Sequence, residues 1–284
     1  MRRALWKFLA RKDRRVVKHE IVIDAAVALV LAFPLAVHAT DGYFSNAYGV
    51  KSQGIAGVGI ALPQDGLAAA TNPAGTALVG DRLDLGLTWF APKRGAEIKG
   101  NAFGADESFD GDGKKNFFIP EFGLTKQLSP DIGVGLAVYG NGGLNTQYEK
   151  NPFARFGATG TAGVDLEQLF VTPSFAYKLN EQNAIGVGVN FAYQRFKATG
   201  LNAFEPFSVS PGNFTDQGYD SSTGWGVRVG WTGQVTQQLT LGATWASKTR
   251  MGEFDKYKGL FADSGSFKFP PTTAWAQPSR PRPH

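Results

Sequence analysis

Apolar residues alternate with small or polar ones, with period two, along most of this 284-residue chain. Leu83, Leu85, Leu87 and Trp89 alternate with Arg82, Asp84, Gly86 and Thr88. Ile132, Val134, Leu136 and Val138 alternate with Gly133, Gly135 and Ala137. The pattern recurs at Val187–Tyr193, Trp225–Trp231 and Leu239–Trp245. Phe118–Leu124 and Leu169–Tyr177 fit it too, although Pro120 and Pro173 sit inside them. Successive strand side chains point to opposite faces, so each segment has one apolar face and one small or polar face. The prediction is an all-β protein of about eight antiparallel strands.

Such strands suit a soluble sandwich with the apolar face inward, or a transmembrane β-barrel with that face toward lipid. Three features favour the barrel. Aromatics mark the ends of the apolar faces (Trp89, Phe90, Tyr139, Tyr193, Trp225, Trp231, Trp245), as an interfacial girdle requires. Short connections at Lys126–Asp131 and Leu179–Asn183 alternate with long polar ones at Lys93–Asn116 and Ala198–Ser221. The third feature is the leader. A basic stretch (Arg2 to Lys18) precedes the apolar run Ala25–Val37, which ends at the cleavage-like Val37-His38-Ala39. That run is about 13 residues, against the ~20 a spanning helix needs, so residues 1–39 are read as a signal peptide rather than an anchor.

Charge then changes meaning. The formal net charge is +5, but residues 1–39 carry eight of the 29 Lys/Arg and three of the 24 Asp/Glu. The remainder is formally neutral, with no basic cluster to suggest a nucleic-acid partner. There is no cysteine, which removes disulfides and thiolate chemistry and suits an oxidising envelope. The three histidines are His19, His38 and His284, so the body of the chain has no imidazole for a Ser-His triad or a zinc site. Asp106–Gly113 has acidic residues in a calcium-loop-like order, yet Phe117 stands where the bidentate Glu belongs. No enzyme, cofactor or metal is expected.

Residues 40–80 lack sustained alternation and are rich in Gly and Ala. Their length suits a plug folded into a lumen too wide for side chains to fill, and Ile55, Val58, Ile60, Leu62 and Leu67 argue against a disordered tail. Thr40-Asp-Gly-Tyr-Phe, Gly54-Ile-Ala-Gly-Val-Gly59 and Asp65-Gly-Leu-Ala-Ala-Ala-Thr-Asn72-Pro73-Ala74-Gly75 resemble the N-terminal hatch of FadL/TodX-type outer-membrane transporters. Tyr139-Gly140-Asn141-Gly142-Gly143-Leu144-Asn145-Thr146 resembles their kinked third strand. The resemblance runs from about Thr40 to Phe269.

It implies a transporter in the outer membrane of a Gram-negative bacterium, in contact with outer-membrane lipid. The ligand is a long-chain fatty acid or another hydrophobic compound, such as a hydrocarbon or an aromatic. Capture in an apolar groove among outer loops is followed by passage above the hatch (Asn72, Pro73, Ala74) and exit through a lateral gap at the strand kink (Gly140, Asn141, Gly142, Gly143). The glycines fit a bulge or gap because they weaken a ladder, and they fit an ordinary loop as well. Phe153, Arg155 and Phe156 are candidates for holding an alkyl chain and its carboxylate, though the same residues also read as an exposed loop. Arg195 and Arg228 fall on or beside lumen-facing positions and are candidates for a deeper carboxylate contact.

The chain departs from the resemblance at its end. About eight strands are present, where such barrels close with fourteen, and an open edge in lipid leaves backbone groups unpaired. Residues 81–269 are therefore expected to form a partial barrel, and 270–284 an aberrant Pro-rich tail that is no central strand. Read two bases later, the codons for Pro271–Gln277 permit Asn-Tyr-Gly-Val-Gly-Ala-Ala, which is strand-like. A frameshift near codon 270 accounts for this, and a short form that closes by oligomerising is the alternative. The competing functional reading is a truncated, non-functional or structural barrel fragment.

Overall fold

The computed structural model describes residues 44–279 apart from residue 56, so the predicted signal peptide and the last five residues lie outside it. In chain order its strands are β1 (Arg82–Phe90), β2 (Gly95–Ile98), β3 (Glu107–Asp110), β4 (Phe117–Gln127) and β5 (Ile132–Tyr148). Then come β6 (Ala162–Lys178), β7 (Asn183–Thr199), β8 (Asp220–Thr236), β9 (Leu239–Ala246), β10 (Arg250–Met251) and β11 (Thr272–Ser279). The main sheet runs β1-β4-β5-β6-β7-β8-β9-β11, antiparallel throughout. The two-residue β10 adds to β8, and β2 with β3 forms a separate hairpin between β1 and β4. Among the described residues no helix is long and apolar enough to cross a membrane.

The apolar faces point outward. Leu83, Leu85, Leu87 and Trp89 of β1 are 60–75% exposed, while Asp84, Gly86 and Thr88 lie on the other face. The same holds for Phe118 and Leu124 of β4, Phe175 and Tyr177 of β6, Val187 and Phe191 of β7, and Trp225 and Val229 of β8. A soluble sandwich would bury these rows; a wall facing lipid exposes them. This gives a sharp expectation for Leu85. Leu85→Arg, near neutral on a water-facing surface, is expected to destabilise the protein by about 2–4 kcal/mol in bilayers. Urea titration of vesicle-reconstituted protein measures it.

Two expectations change. Tyr139 is fully buried on the inner face and is no part of an outer aromatic girdle; it shares the parity of Gly133, Gly135 and Ala137. Strand pairing also continues beyond Phe269. Thr272–Ala276 pairs with Gly242–Ala246 of β9, making β11 the edge of the sheet. Thr-Thr-Ala-Trp-Ala is compatible with an extended strand, and Pro278 falls within the register shift between Ala276 and Ser279, where a missing N–H is tolerated.

Residues 44–80 lie against the inner face. They contain α1 (Val50–Gly54), α2 (Ala68–Thr71) and a 3-10 turn at Pro73–Ala77. The inner face is small where this segment meets it. A Cβ on Gly186 would overlap the Pro73 carbonyl carbon, and one on Gly230 would overlap the Asn72 side-chain oxygen. The 3-10 turn starts where it does because Asn72 Oδ1 accepts from Ala74 N (3.1 Å) and Pro73, with no N–H to satisfy, takes the first position.

Candidate functional site

Asn72 ties the N-terminal segment to the wall. Its side-chain amide nitrogen donates to Ile60 O (2.7 Å), Trp231 O (3.0 Å) and Thr232 Oγ1 (3.1 Å), and the residue is 1% exposed. Pro73 and Ala74 are buried beside it. On the opposite side, Gly49 N donates to both oxygens of Glu121, and Gly66 N donates to Asp84 Oδ2 (2.8 Å). Further contact comes from Thr76 Oγ1, 3.0 Å from Ser174 Oγ. The segment is thus fastened to β1, β4, β6 and β8 by hydrogen bonds that have little water to compete with them.

Beside this segment lies an apolar interior. Leu67, Ala69 and Ala70 meet Ala137, Tyr139, Phe170, Ala192, Met251 and Phe269, with Phe44 and Tyr48 packed on them. The rings form a chain, with Tyr48–Tyr139 at 4.3 Å, Tyr139–Phe170 at 5.8 Å and Phe170–Phe269 at 5.2 Å between centroids. A second cluster gathers Phe196, Phe254, Tyr257, Phe261 and Phe267. A neutral polar bridge accompanies them: Gln194 reaches Gln168 (3.4 Å), Ser222 Oγ (2.9 Å) and Phe267 O (3.1 Å). Apolar walls with a few neutral polar groups suit an uncharged or weakly polar guest.

The ladder between β4 and β5 is incomplete. β4 and β5 pair from Gln127↔Gly133 up to Phe122↔Val138, and the ladder stops there. Above it, Phe117–Glu121 pairs with β1 and Tyr139–Tyr148 with β6, and the two stretches form no ladder with each other. Pro120, which has no N–H to donate, falls in this unpaired stretch. On the facing strand the register shifts between Gly140 and Gly142, leaving Asn141 as an extra residue. Other groups cover the seam. Phe44 bridges to Gly142, Ser45 N donates to Asn141 O (3.0 Å), and Tyr48 Oη donates to Asn141 Oδ1 (2.6 Å). Ile119 Cγ2 fills the space beside Gly140, where a Cβ would come within 2.6 Å of it. Farther up, Gly113 N donates to Gln147 O (3.0 Å). The glycines Gly140, Gly142 and Gly143 therefore lie along an edge held by side chains and by the N-terminal segment, with no strand ladder across it.

The candidate cations are differently placed. Arg155 is engaged by Glu107 Oε2 (3.3 Å), Asn101 Oδ1 (3.2 Å) and Ala105 O (3.4 Å), so its charge is already answered. Its neighbours do form an aromatic group: Phe153 lies 5.2 Å from Phe204, and Phe156 lies 6.1 Å from Phe204 and 5.4 Å from Phe103. Arg195 is not lumen-facing. It shares the parity of the exposed Phe191 and Tyr193, and it pairs with Glu167 (2.7 Å) on the outward face. Arg228 does face inward, where Nη1 donates to Thr71 O (3.1 Å) at the end of α2. Sequence reasoning missed Glu121, Tyr48 and Phe44. A usable signal existed for Glu121, the one charged residue on the inner face of β4.

A model of the family described as outer membrane protein transport protein (OMPP1/FadL/TodX) matches residues 36–274. No curated protein matches the chain. The structure is similar to that of the toluene transporter TodX of Pseudomonas putida, with TM-score 0.58 at 18% identity, covering 81% of this chain and 62% of that one. It is similar to the Ralstonia pickettii toluene transporter TbuX, with TM-score 0.58 at 22% identity, covering 73% and 58%. A Pseudomonas aeruginosa FadL homologue gives TM-score 0.52 at 18% identity, covering 74% and 53%. The chain thus spans between 53% and 62% of the length of these structures.

Proposed function

We infer, for a chain that belongs to the OMPP1/FadL/TodX family of outer membrane transport proteins, that it carries hydrophobic compounds across the outer membrane by diffusion and releases them sideways. The observation that carries this reading is the break in the β4–β5 ladder beside the apolar interior. Residues 44–80 act as the hatch that closes the straight path, and the seam at Gly140–Gly143 is the way out. A guest leaving by this route enters lipid without crossing water, which is what an apolar solute requires.

The ligand we favour is a compact neutral hydrocarbon over a long-chain fatty acid. Arg155 and Arg195 pair with carboxylates of the protein itself, and of the three candidate cations only Arg228, which donates to Thr71 O, faces the interior. The rings of Tyr48, Tyr139 and Phe170 instead offer faces and edges to an aromatic guest. The names of TodX and TbuX as toluene transporters agree with this choice. Uptake of labelled toluene and labelled oleate is to be compared in cells that lack their own hydrophobic-compound channels. The expected result is protein-dependent uptake of toluene exceeding that of oleate; the reverse order defeats the ligand assignment.

A second reading is favoured by the sheet edges. Among the described residues β1 and β11 do not pair with each other. In that reading the chain is a partial barrel without transport activity. Heat-modifiable migration separates the two: a closed barrel shifts on boiling, and an open fragment gives one band and no uptake of either solute.

A further inference from the structure

Between the two aromatic clusters, the inner face carries a hydrogen-bond acceptor that nothing meets. Gln168 shares the inward parity of Leu166, Phe170 and Thr172 on β6 and is 5% exposed. Its side-chain nitrogen donates to Gln194 Oε1 (3.4 Å). Its own Oε1 is closed to water and has no hydrogen-bond partner among the described residues.

The neighbouring groups fix which way this amide points. Gln194 donates its two side-chain N–H groups to Ser222 Oγ (2.9 Å) and Phe267 O (3.1 Å), and a backbone carbonyl can only accept. Gln194 therefore turns its oxygen toward Gln168. Flipping Gln168 would set two amide oxygens against each other, so the unmet atom is an acceptor and not a donor.

On β5 the residue opposite Gln168 is Gly142, which offers no side chain to meet it. Gln168 thus stands one strand in from the seam, beside the route of release. In the row on one side of it Phe170 faces Tyr139, and in the row on the other Leu166 faces Phe196. Aromatic rings therefore flank a single neutral acceptor. Such an acceptor takes a proton donor, and a carboxylate has no proton to give it.

We propose that Gln168 Oε1 accepts the hydroxyl of a monohydroxylated aromatic guest, so that the interior takes simple phenols as well as the parent hydrocarbons. This inference rests on the reading of the chain as a carrier of compact neutral solutes and adds a substrate class to it. A phenol titrates near pH 10, by analogy with the tyrosine side chain at about 10, so it keeps its proton at neutral pH. Its ring meets the same apolar walls as a hydrocarbon. The hydrocarbon, however, leaves Oε1 unmet, and a buried polar group without a partner is unfavourable.

Equilibrium dialysis of the purified full chain, with equal detergent on both sides, tests this with p-cresol and p-xylene. The two differ only by a hydroxyl in place of a methyl group. Apolar walls with no acceptor would favour p-xylene by about tenfold or more, because the hydroxyl would leave water unpaired. With Gln168 accepting, p-cresol is expected to bind at least as tightly as p-xylene. Gln168→Leu is expected to cost p-cresol about tenfold and to leave p-xylene no weaker. The comparison within the parent protein needs no variant, so it holds whether or not Gln168→Leu folds. A parent that prefers p-xylene overturns the proposal, and so does a Gln168→Leu variant that binds p-cresol as the parent does. Carriage of hydrocarbons survives either result, since it requires only that p-xylene bind; binding of neither solute removes both.

Discussion

Replacing Asn72 by Ala is expected to release the N-terminal segment from the barrel wall while leaving the wall intact. The substitution removes the donor shared by Ile60 O, Trp231 O and Thr232 Oγ1 and the acceptor for Ala74 N, all in a region closed to water. Each buried polar group left unmet costs about 1–3 kcal/mol. A total near 3 kcal/mol shifts the docked-to-undocked ratio by about a hundredfold. Gly186→Leu reaches the same end from the other side, since even its Cβ overlaps Pro73, and overpacking of that kind costs about 1–3 kcal/mol. The outward face of β7 is untouched by that change, so membrane insertion is expected to persist. Limited proteolysis of isolated outer membranes reads the outcome. Both variants are expected to be cut within residues 60–80 at protease levels the parent resists. A parent-like pattern in Asn72→Ala means those four hydrogen bonds do not hold the segment.

The sequence made the strands and their lipid-facing rows legible because parity is a geometric property of an extended chain. Leu83, Leu85 and Leu87 needed nothing but the count of two to be placed outward. The misplacements arose where residue type was allowed to override that count. Tyr139 was grouped with interfacial aromatics, yet it follows the outward Val138 and so faces in. Arg195 lies beside the lumen-facing Gln194 and continues the outward row Val187, Val189, Phe191, Tyr193. It is tolerated there because that part of the row has left the apolar band and meets Glu167. β11 was hidden by Pro278 and the flanking Pro270 and Pro271, which count against a central strand and far less against an edge. The seam was only half legible. Gly140, Asn141 and Gly142 mark the shifted register, but the unpaired stretch of β4 and the bridge from Phe44 to Gly142 are long-range pairings, and spacing along one strand carries no information about them.

The second large effect concerns that seam. Because the chain has no cysteine, a pair introduced at positions 119 and 140 has no competing partner. A Cβ at position 140 would stand 4.0 Å from Ile119 Cβ, inside the range a disulfide spans. The bond would join β4 to β5 where the ladder is missing, without adding bulk to the apolar interior. If hydrophobic compounds leave between these strands, closing the seam stops them, whereas a path down through the hatch would be unaffected. The reduced double variant sets the unbridged level of transport against which oxidation is read. The most direct measurement is therefore uptake of labelled toluene by cells carrying Ile119→Cys with Gly140→Cys, before and after oxidation. Lateral release predicts that oxidation lowers uptake to the level of cells without the protein and that dithiothreitol restores it; uptake that continues unchanged through a fully formed cross-link contradicts it.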